Sequence, residues 1–205
     1  MSPRRSTQHA QQTRHAILAA GVALASVEGL EPLSLGRLAA VTGVSKSGIA
    51  GHFGSKEALQ LAVLQEAVRT FRREITVPAQ RQAPGLARLQ AVAENWLSYL
   101  NRGVFPGGCF FTNVTSEFDG RDGPVREVIA GVNEDWRRYL ATEIRAAVQR
   151  GELAPGTDPE QLIFELMGLM LSLNHSLQLD GDARAVDRAR VGLARLLRSV
   201  EAQSV

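Results

Sequence analysis

Helical periodicity, repeated between breaks that contain Gly and Pro, is the feature that most constrains the fold of this 205-residue chain. Apolar residues recur at spacings of three and four along most of the sequence, and no segment shows the sustained two-residue alternation of a strand. Aromatic residues, which strands favour, make up only 5% of the chain. The sequence therefore predicts an all-α protein.

The breaks divide the chain into about nine helices. We expect Ser34, Ser45, Ser55 and Asp158 to act as N-caps, because each stands immediately before a helical segment. We also expect a break directly after Thr76. The predicted ranges are 7 or 8–27, 34–42, 45–53, 55–76, 85–101, 109–118, 124–150, 159–179 and 183–202.

Residues 33–59, LSLGRLAAVTGVSKSGIAGHFGSKEAL, have the spacing of a helix-turn-helix, with Gly43 in the turn. Ile49 and Phe53 are four residues apart, so they share the buried face of the second helix. The outward residues of that helix are small, polar or basic, which suits a DNA major groove and its flanking phosphates. They are Ser45, Lys46, Ser47, Gly48, Gly51 and His52.

The charge of the chain divides along its length. Residues 1–60 carry six basic and three acidic residues, a net of +3, whereas the remainder carries a net of −1. Arg4 and Arg5 belong to this basic segment. We therefore predict a helix-turn-helix DNA-binding domain of three helices over residues 1–60 and a larger helical bundle over residues 61–205.

Two stretches, RHAILAAGVALASVEGL and SLGRLAAVTGVSKSGIAGHFGSKEAL, closely resemble the N-terminal DNA-binding domain of TetR-family transcriptional regulators. One position departs from the family pattern, since many relatives have Tyr where this chain has Ala50. The matching residues are Ile17, Leu18, Ala20, Gly29, Leu38, Ala39, Gly43, Val44, Ser45, His52, Phe53, Ser55, Lys56, Glu57 and Leu59.

We expect the DNA contacts to be of two kinds. Arg37 and Lys56 are expected on phosphates, whereas Lys46, Ser47 and Gly48 are expected near base edges of a pseudo-palindromic operator. The full predicted set is Ser34, Arg37, Ser45, Lys46, Ser47, Gly48, His52 and Lys56.

The resemblance implies a homodimer joined through the last two helices, and a small-molecule inducer bound in the C-terminal bundle that releases a repressor from its operator. The segment LIFELMGLMLSLNHSLQL is apolar on nearly every face, as expected of a dimer interface or of a fully buried core helix. A two-fold operator requires a dimer, which favours the interface. Gly168 and Ser172 would permit close approach of two helices.

Candidate ligand contacts are the aromatic and embedded polar residues of the C-terminal part, although aromatics at helical spacing also form ordinary cores. For His175 a core or interface role is the favoured alternative. The candidates are Trp96, Cys109, Phe110, Asn113, Trp136, Met170, Asn174 and His175.

Two alternatives use the same fold. One is a redox sensor, because Cys109 begins a helix whose N-terminus would lower the pKa of a thiol. The alternative interpretation of Cys109 is a small, buried hydrophobic residue. The other is a small-molecule carrier. A single Cys excludes a cysteine-built zinc site and suits a reducing compartment. Glu117, Asp119 and Asp122 lack the spacing of a calcium loop, so we interpret them as solvated.

The sequence contains no GxSxG, P-loop, HExxH or strand-associated GxGxxG motif, so we expect neither an enzyme nor a cofactor. The N-terminus has the outline of a secretory signal, with arginines before AILAAGVALASV. The apolar stretch is mostly Ala, however, and its bulky residues have amphipathic spacing. We therefore expect a cytoplasmic location.

Overall fold

The computed structural model describes residues 3–202. Within that range the β-type pairing is limited to an isolated bridge between Leu153 and Glu201, and helices form the rest of the regular structure. The all-α prediction is therefore confirmed. The helices are α1 (Pro3–Glu28), α2 (Leu35–Thr42), α3 (Lys46–Phe53), α4 (Lys56–Phe71), α5 (Leu86–Asn101), α6 (Phe110–Phe118), α7 (Pro124–Gln149), α8 (Pro159–Gln178) and α9 (Ala185–Val200).

Helix starts follow the predicted N-caps. In each case a side-chain oxygen accepts a backbone N–H of the first helical turn at 2.9–3.1 Å, which satisfies a group that has no partner within the helix. The four capping residues are Ser34, Ser45, Ser55 and Asp158. These starts are therefore set by local sequence.

Two helix boundaries differ from the prediction by more than two residues. Helix α1 begins at Pro3, earlier than expected, in agreement with the preference for Pro in a first helical turn. The side chains of Arg4 and Arg5 lie outside the described part of the structure. The chain also remains helical past Thr76, through a π-helical segment Arg72–Thr76 and a final turn Val77–Ala79.

The π-helical segment explains why the chain does not break at the proline that follows it. Pro78 has no N–H to donate, and its ring crowds the carbonyl four residues earlier. The wider π turn, closed by the Val77 N–H on the Arg72 carbonyl, accommodates that ring. The break therefore falls after Ala79 instead of after Thr76.

The chain forms two compact units. The first contains the residues up to Arg69 together with Phe105–Ala130, and the second contains Thr70–Val104 and the residues from Gly131 onward. Helix α6 thus belongs to the same unit as the helix-turn-helix. Each compact unit contains two separate stretches of the sequence, so the units do not correspond to one boundary along the chain. A functional boundary at residue 60 stays a prediction.

Helix α1 packs against α2 and α6 in the core of the first unit. It also approaches α4 at Gly21, where a Cβ would lie 2.8 Å from the Val63 side chain. Ile17 and Leu18, on the same helix, are 1–2% exposed. The Arg14 guanidinium lies 5.1 Å from the centre of the Phe53 ring, a cation–π contact that joins α1 to α3.

Two glutamates organise the start of α5 in the second unit. Glu143 is 4% exposed; it accepts the Gly85 N–H at 3.0 Å and pairs with Arg88 at 3.2 Å. Glu152 accepts the Leu86 N–H at 2.8 Å, and this hydrogen bond lowers the pKa of its carboxyl. Both carboxylates lie at a helix N-terminus, where negative charge is favourable.

No helix in residues 3–202 combines the length and apolar character needed to cross a membrane. Across the described residues, no group of three or more His, Cys, Asp or Glu side chains is placed to hold a metal ion.

Candidate nucleic-acid interface

The turn between α2 and α3 has the geometry that its sequence predicts. Gly43 ends α2 with φ of +69°, in the left-handed region that favours glycine, and its N–H donates to the Ala39 carbonyl at 3.0 Å. On the inner side, Leu38 and Ile49 are fully buried and Phe53 is 8% exposed. These residues fix α3 against the unit and leave its opposite face outward.

The outward face of α3 presents the residues predicted to contact bases. Ser45, Lys46 and Ser47 are exposed, and the two serine hydroxyls lie 3.2 Å apart. Gly48 and His52 are partly exposed on the same helix. A Cβ at Gly48 would lie 3.1 Å from the Ser45 hydroxyl that caps the helix, so glycine keeps this end of α3 narrow.

The two cations predicted to bind phosphate are each paired with a carboxylate of the same unit. Arg37 forms a forked ion pair with Glu28, and the Lys56 ammonium lies 2.9 Å from Glu31. The hydrogen bonds from these cations lower the pKa of both carboxyls. The side chains are 36–46% exposed, and such surface pairs are weak enough for a DNA phosphate to exchange with the carboxylate.

Two polar residues of α6, Asn113 and Glu117, bind the end of α1. The Asn113 amide donates to the carbonyls of Ser26 and Gly107 at 3.1 and 2.9 Å. The Glu117 carboxylate accepts the N–H groups of Leu30 and Glu31 at 2.7 and 2.8 Å. The interpretation of Glu117 as a solvated turn residue is therefore wrong. Its sequence signal is the four-residue spacing from Asn113, which places the two side chains on one face of α6.

Trp96 and Trp136, two of the predicted ligand contacts, meet in an aromatic cluster of the second unit. Their ring centres are 5.3 Å apart, and Phe71 packs edge-on against both at 5.9 and 5.0 Å. Tyr139 stacks on Trp136 at 5.7 Å, and burial raises the pKa of its hydroxyl. The Nε1–H groups of both tryptophans and the Tyr139 hydroxyl are buried without a hydrogen-bond partner among the described residues.

The other predicted ligand contacts do not all join this cluster. Cys109, Phe110 and Asn113 belong to the first unit. Cys109 is 2% exposed and Phe110 is fully buried. The Asn113 amide is used by backbone carbonyls, as described above. Met170 and Asn174 are 2–3% exposed on α8 of the second unit, whereas His175 beside them is exposed.

Helix α8 carries an apolar stripe on its outer side. Phe164, Gly168, Leu171 and His175 follow one another at spacings of four, three and four residues, so they share one face of the helix. All are exposed, Phe164 by 74% and Leu171 by 43%. Val191 on α9 is exposed by 50%. Helix α8 is therefore not fully buried within the chain.

A pair of short helices joined by a glycine turn, with a basic outward face, and an all-helical second part define a helix-turn-helix DNA-binding protein. The family profile "Bacterial regulatory proteins, tetR family" matches residues 17–63, and "Tetracyclin repressor-like, C-terminal domain" matches residues 85–193. The second match spans more than half of the chain. The chain belongs to the TetR family of transcriptional regulators.

Solved structures of TetR-family regulators share the fold over nearly the whole chain. A regulator from Chloroflexus aurantiacus J-10-FL is 26% identical, with a TM-score of 0.87, over 96% of this chain and 100% of its own. One from Cytophaga hutchinsonii is 24% identical, with a TM-score of 0.82, over 96% and 98%. AibR, solved in complex with isovaleryl coenzyme A and operator DNA, is 23% identical, with a TM-score of 0.73, over 89% and 97%. No curated protein sequence matches the chain.

Proposed function

We propose that this regulator is a repressor that reads a pseudo-palindromic operator through α3 as a homodimer, and that a small molecule bound in the second unit releases it. The observation that carries the proposal is the outward face of α3, where Lys46 and Ser47 are exposed above a fully buried Ile49. The protein acts by binding, without catalysis, in the cytoplasm where its operator lies. The single Cys of the chain agrees with that reducing compartment.

The aromatic cluster supports the small-molecule part of the proposal. Buried donors without a partner are costly, and a ligand that carries acceptor oxygens would satisfy them. The Nε1–H groups of Trp96 and Trp136 and the Tyr139 hydroxyl are such donors among the described residues. AibR, whose fold this chain shares, was solved with operator DNA and isovaleryl coenzyme A, which supports a protein of this fold that binds both DNA and a small molecule.

The apolar stripe on α8 supports the homodimer. Exposed large apolar side chains at helical spacing on one face are characteristic of an interface between protein chains. Gly168 adds space, because a Cβ there would meet no atom within 4 Å, so a partner helix would approach closely at this point. A stable interface buries about 1,200–2,000 Å² in total, so the exposed face of α9, which includes Val191, is expected to join that of α8 in the contact.

The experiment compares substitutions that remove single positive charges. Lys46→Ala is expected to weaken binding to an operator, selected from a random duplex library, about tenfold or more, while binding to a mixed-sequence duplex changes less, because a base contact is lost. Arg37→Ala is expected to weaken binding to the operator and to the mixed-sequence duplex about equally, because a phosphate contact does not depend on base sequence. Fluorescence anisotropy over a salt series measures the affinity of each variant for each duplex and its salt dependence.

The matched control is Arg137→Ala, which removes the same charge from an exposed position on α7 in the second unit. It is expected to leave the preference for the operator unchanged. If Lys46→Ala alters operator preference no more than Arg137→Ala does, α3 is not the reading helix and the proposal fails.

A further inference from the structure

The turn between α1 and α2 is held from α6 by one carboxylate. Glu117 accepts the N–H groups of Leu30 and Glu31 at 2.7 and 2.8 Å, so both of its oxygens are used. Gly29, which precedes them, has φ of +93°, and a Cβ there would lie 2.7 Å from the Glu117 carboxylate. Glycine at this position therefore permits both the turn and the approach of the carboxylate.

The same turn is held from α4 by a buried amide. Gln60, which is 4% exposed, donates from Nε2 to the Leu30 carbonyl at 2.7 Å. Leu30 is itself fully buried. The backbone at Leu30 is thus bound on both its N–H and its carbonyl side, by side chains from two different helices.

This position of the backbone places a second carboxylate beside a predicted phosphate contact. Glu31 extends from the fixed turn to the Lys56 ammonium, 2.9 Å away. Lys56 begins α4, one helical turn before Gln60. The side chains of Glu31 and Lys56 are 39% and 44% exposed, so the pair lies at the surface where a phosphate would reach it.

We propose that Glu117 is a positioning residue for DNA binding, because it fixes the α1–α2 turn so that Glu31 occupies Lys56 as an internal counter-charge. A phosphate that binds Lys56 must displace Glu31, which then takes up a salt cation. The phosphate contact releases one cation from DNA, but Glu31 takes up one cation at the same time. Because the two cations cancel, the Lys56 contact contributes little to the salt dependence of DNA affinity in the unaltered chain. This inference rests on the proposed DNA-binding function.

The test uses the full chain and a fluorescent mixed-sequence duplex, since a phosphate contact does not depend on base sequence. Glu31→Gln is expected to tighten binding and to steepen the salt slope by about one. The ratio of the DNA affinity of Glu31→Gln to that of the unaltered chain should therefore fall about fourfold between about 50 and 200 mM KCl. The control, Glu57→Gln, removes the same charge next to Lys56 and is expected to leave the slope unchanged.

Glu117→Gln is also expected to steepen the salt slope. The glutamine amide has one acceptor oxygen and one donor NH₂ group, so it can no longer accept both backbone N–H groups, and the turn is released. Combined with Glu31→Gln it should add nothing to the slope, as two changes that act through one ion pair are not additive. Asp119→Asn removes an equal charge from the exposed end of α6 and is the control for charge alone. A residue that only stabilised the fold would lower the melting temperature without altering the slope.

Hydrogen exchange of the unaltered chain provides a measurement that needs no variant. The Leu30 and Glu31 amides are expected to exchange slowly; exchange at the rate of an open turn would overturn the inference. Equal salt slopes for Glu31→Gln and Glu57→Gln, or additive slopes in the double variant, would also overturn it while leaving the proposed function intact. A chain that binds no duplex overturns the proposed function and this inference together.

Discussion

At the scale of single residues, Gly107 lies directly against the end of α1 in the first unit. A Cβ on Gly107 would lie 1.8 Å from the Ser26 carbonyl oxygen, so no larger residue fits unless the backbone moves. The Gly107 N–H donates to the Ser26 hydroxyl at 3.2 Å, and the Asn113 amide donates to the Ser26 carbonyl. Glycine is therefore required here by space, whatever its conformation.

We expect Gly107→Ala to lower the free energy of unfolding by about 2–4 kcal/mol, because the methyl group overlaps backbone atoms that have no room to yield. Chemical denaturation of the full chain measures this. Gly120→Ala is the matched control from the same unit, since a Cβ there meets no atom within 4 Å, and it should change stability by less than about 0.5 kcal/mol. Equal losses for the two variants would contradict the assigned contact.

At the scale of elements, the helix-turn-helix was predictable because its determinants are local. Ser34 and Ser45 act as caps within three residues of their partners, and Gly43 supplies the left-handed turn. The role of α6 was not predictable in the same way. Glu117 binds backbone groups 86 and 87 residues earlier in the chain, and no local pattern specifies a contact at that separation.

The ligand candidates show the same limit. Aromatic composition and helical spacing predict Trp96 and Trp136 as candidate ligand contacts, but they do not predict that α5 and α7 place the two rings 5.3 Å apart. Asn113 was predicted to contact ligand because an amide in an apolar helix needs a partner. The structure supplies that partner within the protein, at the Ser26 carbonyl.

The aromatic cluster formed by α5 and α7 leads to a spectroscopic prediction, because Trp96 and Trp136 are the two tryptophans of the chain. A small molecule that releases the protein from DNA is expected to change tryptophan fluorescence, with saturation at the concentration that releases DNA. Tyr139→Phe keeps the ring and removes one hydrogen-bond donor. It should therefore weaken the binding of that molecule about five- to tenfold, as the loss of one hydrogen bond implies. A releasing molecule that leaves the fluorescence unchanged would place its site elsewhere.

At the scale of the whole molecule, charge and apolar surface are separated along the chain. The net charge of +3 is carried by residues 1–60, which include the helix-turn-helix, whereas the exposed apolar stripe lies on α8. Whole-chain composition, with a net charge of only +2, conceals this separation. Reading of a two-fold operator would require two copies of the chain, which we propose are joined through α8 and α9.

The most direct test is selection of bound sequences from a random duplex library, followed by footprinting of the selected site. We predict a pseudo-palindrome whose half-sites are centred about one helical turn or slightly more apart, bound by a dimer. Phe164→Glu, which places a charge in the stripe on α8, should yield a monomer that loses the two-fold site. Enrichment of no sequence, or of a single asymmetric site bound equally well by the Phe164→Glu variant, would show that the protein does not read a two-fold operator as a dimer.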